Sequence, residues 1–202
     1  MARYRGPKLK IVRRLGQLPG LTRKVARRNY PPGQHGQAGN KSSEYGTQLK
    51  EKQKLRYNYG LSERQLLRYV RRARRIKGST GQTLLSLLEM RLDNIIFRMG
   101  IAPTIPAARQ LISHGHILVN NRRLNVTSYE CGVNDTITIR DKSDSKKLIQ
   151  SFIELPKMLE LPTHLVFDKQ KLEGNVQGRA DRNSVGLPIN ELLVIEYYSR
   201  KG

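Results

Sequence analysis

RLDNIIFRMGIAPTIPAARQLISHGHILVNNRRLN, residues 91–125, carries the pattern of two helices followed by a hairpin. Leu92, Ile95, Ile96 and Met99 fall at i, i+3, i+4 and i+7, the spacing that gathers apolar groups on one helix face. Arg91, Asn94 and Arg98 then share the opposite face. A second helix is expected from Thr104, whose hydroxyl can accept from first-turn amides, and Pro106 is tolerated there because its missing N–H is not needed. Ala108, Leu111 and Ile112 give this helix an apolar side, and Gly115 stands where a left-handed C-cap belongs. Ile117 and Val119 alternate with Leu118 as in a half-buried strand. Asn120 and Asn121 predict the hairpin turn, since Asn tolerates positive φ better than most residues. Arg122, Arg123 and Asn125 lie on the returning chain.

This helix-turn-helix and hairpin offers Arg91, Asn94, Arg98, Arg109, Gln110, His114, His116, Asn120, Arg122, Arg123 and Asn125 to a partner. Most of them donate hydrogen bonds, which suits phosphate and ribose oxygens, and Arg can also stack on bases. Taken alone, such a helix has a plainer reading as a solvated polar face. The charge of the whole chain tips the balance.

The 202 residues include 38 Lys and Arg against 16 Asp and Glu, a formal net charge of +22, and a field of that size attracts polyanions. The charge is uneven. Residues 1–90 hold 22 basic and 4 acidic residues, residues 91–150 hold 9 and 5, and residues 151–202 hold 7 of each; the first acid is Glu44. A basic front half joined to a neutral back half favours a nucleic-acid partner over a merely soluble surface. A membrane partner is not expected, because the basic half has no wide apolar helix face, no run of 18 apolar residues occurs, and the N-terminus lacks the apolar region of a secretory signal. A soluble chain is expected, with 37% hydrophobic residues sufficient for a modest core and exposed arms. The single cysteine, Cys131, excludes an internal disulfide framework and a multi-cysteine zinc cluster, leaving a core or surface thiol.

Upstream of the central stretch, residues 1–37 contain no acid, little apolar periodicity and the breakers Gly6, Pro7, Gly16, Pro19 and Gly20. Self-repulsion among Arg3, Arg5, Lys8, Lys10, Arg13, Arg14, Arg23, Lys24, Arg27 and Arg28 predicts an arm that is open until phosphates neutralise it. In Tyr30-Pro31-Pro32-Gly33-Gln34-His35-Gly36 a tyrosine ring, an amide and an imidazole lie on a stiff turn that can meet RNA or serve as a plain linker. Residues 43–59 suit a helix with Tyr45, Leu49 and Leu55 as its few apolar anchors among Lys50, Lys52, Lys54 and Arg56, so it needs an outside partner. Ser62 and Gln65 form a capping box for the next helix, with Leu61 and Leu66 stapled around it and Leu66, Val70 and Ala73 as its core stripe. Arg64, Arg68, Arg71, Arg72 and Arg75 recur down one side, a stripe that repels itself unless an anion lies along it. Gly78 is expected to end this helix, and Leu84, Leu85, Leu87 and Leu88 build core beyond it.

Downstream, Ile137 and Ile139 alternate with Thr136 and Thr138 after an Asn134-Asp135 turn, and residues 161–167 and 171–176 are weaker strand candidates. The pattern predicts an α+β fold: a basic arm, a helical first domain, and a small, mainly antiparallel sheet with helices. Asn190 can cap a final helix in ELLVIEYYSR, although its apolar run is short enough for a strand; the cap decides for helix.

Catalytic readings fail on spacing. Lys41 follows Asn40 rather than Gly, and position 35 is His, so no Walker loop forms. His114 and His116 have no nearby Cys, Asp or Glu to complete a metal set. Asp93 lacks a partner acid, so it is read as fixing an adjacent Arg or backbone amide. No cofactor or metal is expected, and no enzyme activity.

YPPGQHG, EKQKLRYNYGLSERQ, GSTGQTLLSLLEMRLDNIIFRMG, ARQLISHGHILVNNRRLN and INELLVIEYYSR, in this order along the whole chain, resemble the family of small-subunit ribosomal protein four of the bacterial and plastid type. Residues 91–125 are similar to the RNA-binding module that this family shares with certain pseudouridine synthases and tyrosyl-tRNA synthetases. The resemblance implies a primary binder of small-subunit ribosomal RNA at a multi-helix junction of the 5′ domain, early in assembly, with both domains sharing the grip. It further implies contact with ribosomal protein five, proximity to ribosomal protein three where messenger RNA enters, and a part in translational accuracy. It implies a helical domain over 1–90 completed by 188–202, with residues 192–200 packed on residues 46–90, and a second domain over 91–187. The opening and ending look closest to cyanobacterial and plastid members, which implies a plastid ribosome, with a bacterial cytoplasm as the alternative. The family's arm cysteines that can hold zinc are absent here, and Asn121 stands where a glycine is usual. Two other readings stay open: an RNA-modifying enzyme that uses the same module, for which 52 residues after Gln150 are too few to build a catalytic domain, and a free RNA chaperone or translational regulator.

Overall fold

The computed structural model describes residues 4–38, 43–156 and 160–200, and the chain divides into two compact units, 1–84 with 187–202 and 85–186. Among the described residues, the first unit holds α1 (Lys8–Leu15), α2 (Glu44–Asn58), α3 (Glu63–Arg75) and α8 (Glu191–Ser199), and α4 (Thr80–Glu89) carries the chain into the second. The second holds α5 (Leu92–Met99), α6 (Ile105–His114), α7 (Ser143–Ile153) and strands β1 (Ile117–Val119), β2 (Arg122–Arg123), β3 (Thr136–Ile139), β4 (Leu165–Asp168) and β5 (Glu173–Val176).

In the first unit, the capping box of α3 is complete: the Ser62 hydroxyl accepts from the Gln65 amide, and the Gln65 side chain accepts from the Ser62 amide. Leu66, Val70 and Ala73 are fully buried along α3. The helix ends at Arg75, three residues before Gly78, because Ile76 already takes extended backbone. The outside partner that α2 needs is α8, which starts where the Asn190 side chain accepts from the Leu192 amide. Their seam is polar. Gln48 Nε2 donates to Glu196, the Asn190 amide donates to Glu51, and Lys52 Nζ sits 3.0 Å from both Glu63 oxygens and 4.8 Å from the Tyr197 ring centre. The Tyr198 hydroxyl closes the set with a 2.8 Å bond to Glu63. Burial alone pushes the Glu63 carboxyl up, but hydrogen bonds from Tyr198 and Lys52 outweigh it and hold the group below its ordinary value. Tyr45, expected as an anchor, is 46% exposed and only leans on the Tyr197 ring.

The arm is better ordered than its charge suggests. Residues 8–15 form a helix, and Ile11, Val12, Leu15, Leu18 and Leu21 are buried, a sparse apolar series that is enough to seat the segment. Polar ties finish it: the Gly20 amide donates to Asn58, and Arg13 donates to the carbonyls of Tyr30 and Pro31 while stacking over the Tyr30 ring. The Tyr30–Pro31 turn is therefore docked rather than a free linker.

In the second unit the sheet is antiparallel throughout, in the order β2-β1-β3-β5-β4. The pairs Ile117↔Ile139 and Val119↔Ile137 put four buried side chains on one face, against Leu92, Ile95, Ile96 and Met99 of α5 and Ile112 of α6. Gly174 on β5 permits this approach, since a Cβ there would lie 2.5 Å from Met99 Sδ. Cys131 belongs to this core, and burial pushes its thiol well above the ordinary range. The strands β4 and β5 are shorter than the sequence pattern suggests, and the helix α7 has no strong sequence signal, its helical face showing only Ser145 and Ile149 as buried residues.

Candidate nucleic-acid interface

The central stretch folds as its pattern requires. Thr104 caps α6 by accepting from the Ala107 amide, Pro106 sits in the first turn, and Gly115 takes φ 74° at the C-cap. Asn120 and Asn121 both take positive φ, 50° and 61°, giving the turn between β1 and β2 the twist of a tight hairpin. Asn120 does more than turn the chain, because its side chain accepts from the Thr136 amide and donates to Asp135.

On the outer side of this unit, Gln110, His114, Arg122, Arg123 and Asn125 are exposed, and Arg109 is half-buried. The Arg123 guanidinium lies directly over Gly115, so close that any Cβ there would collide with it, and it reaches the His114 carbonyl at 3.5 Å. The His114 and His116 rings are 6.1 Å apart, and His116 Nδ1 pairs with buried Ser145 at 2.9 Å. Burial first, then the charges of His114, Lys142, Arg140 and Arg123, hold His116 below its ordinary pKa. A histidine surrounded by cations in this way marks a locally positive surface. No group of three or more potential metal ligands occurs among the described residues.

Three residues of the expected polar face turn inward instead. Arg91, Asn94 and Arg98 are all at least nine-tenths buried. Arg91 makes a two-point ion pair with Asp93, with Nε to Oδ1 at 3.0 Å and Nη2 to Oδ2 at 2.8 Å, and Arg109 Nε reaches the same carboxylate at 2.8 Å. Asn94 donates to the side chain and carbonyl of Glu89, and Arg98 lies 3.5 Å from Glu89 and donates to the Ser184 carbonyl. The physical reason is the neighbouring chain: residues 127–131 run along the start of α5, with Leu92 donating to Tyr129 and Cys131 to Met90, and cover the side that a lone helix would expose. Asp93 is thus the fixing carboxylate the sequence suggests, for two arginines.

In the first unit, Arg64, Arg68, Arg71, Arg72 and Arg75 are exposed along α3. Arg74 and Lys77 extend the same charge and are legible from the run RRARRIK at 71–77, which only Ala73 and Ile76 interrupt. Arg140 and Lys142 near the hairpin are not, since they follow a strand whose pattern says nothing of which end meets the hairpin. Elsewhere Arg5, Arg14, Lys24, Arg27, Arg28, Gln34, His35 and Lys50 are exposed, whereas Lys8, Arg13, Arg23, Tyr30, Lys54 and Arg56 are half-buried. Lys52 is buried by its Glu63 pair, and Lys54 is paired with Glu51 at 2.6 Å, which removes the first and weakens the second as partners for an outside anion. Arg3 lies outside the described residues.

Residues 3–89 match the ribosomal protein S4/S9 N-terminal domain family, and residues 90–137 match the S4 domain. The small ribosomal subunit protein uS4 of Acaryochloris marina (strain MBIC 11017) is 66% identical over 202 residues, the whole of both chains. The chain belongs to the ribosomal S4 family. Proteins of the same name from Thermosynechococcus vestitus and Trichormus variabilis are 64% identical over 201 residues, again the full length of each. For a member of the S4 family the exposed cations acquire a setting: α3 lies within the region matched by the N-terminal domain, and the hairpin with Arg122 and Arg123 lies within the S4 domain itself.

Proposed function

We propose that this chain is a structural, non-enzymatic component of the small ribosomal subunit that binds its ribosomal RNA. The observation that carries the reading is the exposed arginine stripe on α3, which faces solvent along one side of a helix whose other side is sealed by Leu66, Val70 and Ala73. Like charges at this spacing repel, so an anion laid along them relieves a cost already present in the free protein. Phosphates neutralised by α3 and the arm supply most of the affinity, and the hairpin module, with Arg109, Arg122 and Arg123, fixes orientation on the RNA. By analogy with duplex binding, neutralising ~6 to 10 phosphates weakens binding by about 10³ to 10⁵ between 50 and 200 mM salt. Filter binding to the 5′ domain of small-subunit RNA across that range tests it; an affinity indifferent to salt removes the mechanism.

The finer assignments rest on family resemblance. They are a multi-helix junction in the 5′ domain as the target, ribosomal proteins five and three as neighbours, a part in translational accuracy, two folding domains meeting near residue 90, and a plastid ribosome as the location. Chemical footprinting with full-length protein and with protein lacking residues 1–45 tests the junction: protection that survives truncation assigns specificity to the folded part. A free chaperone or regulator is separated by sedimentation, because it does not stay with salt-washed small subunits.

A further inference from the structure

A cleft of about 530 Å³ opens in the first unit between the start of α1 and residues 24–28. Part of its lining is apolar, from Pro7, Leu9, Val25 and Ala26, and Leu9 and Val25 are 38% and 68% exposed although nothing polar is gained by exposing them. Lys10, Arg13, Lys24, Arg27 and Arg28 complete the lining, and no acid is among the lining residues. The shape is held from within. Arg13 ties the chain after residue 28 back to α1 through the Tyr30 and Pro31 carbonyls, and the Lys24 amide donates to the Thr22 hydroxyl at the other end of the segment. The first turn of α1 carries no acid, and no side chain among the described residues caps it, so the positive end of the helix opens beside the same cleft.

A lining that mixes exposed apolar side chains with cations and holds no acid matches one kind of RNA element. Phosphates alone need no apolar surface, and a paired stem hides the faces of its bases. An unpaired, unstacked nucleotide offers an apolar base face and a phosphate on either side. The volume lies in the range of pockets that hold small ligands, enough for a base and its ribose and too small to enclose a duplex. We infer that this cleft takes a single looped-out nucleotide of the RNA, its base against Leu9, Val25 and Ala26 and its flanking phosphates on Lys10, Lys24 and Arg27. The inference rests on the RNA-binding reading above and adds base readout to a segment otherwise expected to supply charge alone.

The test uses the full-length chain and the 5′ domain of small-subunit RNA, with ultraviolet crosslinking read by mass spectrometry and chemical footprinting in parallel. Residues 7–9 or 25–26 are expected to crosslink to one nucleotide that is reactive in the free RNA and protected in the complex. Ala26→Trp fills the cleft without touching a charge; it is expected to abolish that crosslink and protection and to weaken binding about tenfold with an unchanged salt slope. Val25→Asp, at a site exposed enough to leave folding intact, is expected to abolish the same crosslink and protection, with a shallower salt slope because its carboxylate offsets the neighbouring cations. Crosslink and protection that persist in both variants overturn the inference, as do adducts to a paired nucleotide or to a protein. Wild-type protein that protects RNA with no nucleotide in the cleft sinks this inference alone, whereas wild-type protein that binds no RNA sinks the broader reading with it.

Discussion

Helices α3 and α5 carry basic residues at similar helical spacings and put them to opposite use. On α3 the six arginines from Arg64 to Arg75 are exposed, and one acid, Glu63, occupies the first turn and is taken by Lys52 and Tyr198. Around α5, Arg91 and Arg98 are buried, and each has a buried acid within nine residues, Asp93 and Glu89. The difference lies in the acids. Periodicity says which cations share a side of a helix, and the presence of carboxylates nearby says whether that side can be closed over.

The sharpest way to break the comparison is Asp93→Asn. Removing the charge of the carboxylate takes from buried Arg91 its two-point ion pair and loosens Arg109, and unfolding by urea is expected to show a loss of about 3–5 kcal/mol. A drop below about 1 kcal/mol would mean that the α5 arginines are not held by pairing. Glu89→Gln, which weakens the hold on Arg98 while keeping a group for Asn94 to bond, is expected to cost less, about 1–3 kcal/mol by the same measurement.

A pH series sharpens the picture of the α5 interior. His164 is buried, neither ring nitrogen has a hydrogen-bond partner among the described residues, and burial first, then the Arg98 charge, lowers its pKa from 6.5. A depressed folded pKa means that the unfolded chain takes up the proton first. Stability is therefore full above the unfolded value and falls as pH drops through it, by at most about 1.4 kcal/mol per pH unit for this one group. His164→Leu is expected to flatten the curve in that window without levelling it, because His116 titrates with the same sign. On α3, by contrast, Arg68→Ala with Arg75→Ala is expected to change stability by less than about 0.5 kcal/mol. The same pair should lower the salt slope of RNA binding by roughly 0.7–0.9 for each phosphate no longer neutralised. A destabilised fold with an unchanged slope would make α3 another α5.

The sequence pattern was most legible where one short signal fixes one element. Thr104, Pro106, Gly115 and the Asn120-Asn121 pair set the bounds of α6 and the hairpin, and Ser62 with Gln65 set the start of α3. It was least legible where a partner distant in sequence decides the outcome. Lys52 reads as a free cation until Glu63 and Tyr197 close on it, and Arg91 and Arg98 read as an outer face until residues 127–131 run along the start of α5 and Arg98 reaches Glu89 and the Ser184 carbonyl. The order of residues 8–21 is masked by composition: Ile11, Leu15 and Leu18 fall at i, i+4 and i+7, but the cations and breakers around them outweigh so short a series until each side chain finds a place in the core.

Gly115 joins two roles that are usually separable. Its backbone ends α6 in the left-handed region, and its bare α-carbon is the bed on which the Arg123 guanidinium rests. An engineer who wished to retune the hairpin's grip could exchange Arg122 freely, but any new side chain at position 115 would strain the turn and evict Arg123 in the same step. Recognition by this corner of the protein can therefore be adjusted from the hairpin side alone.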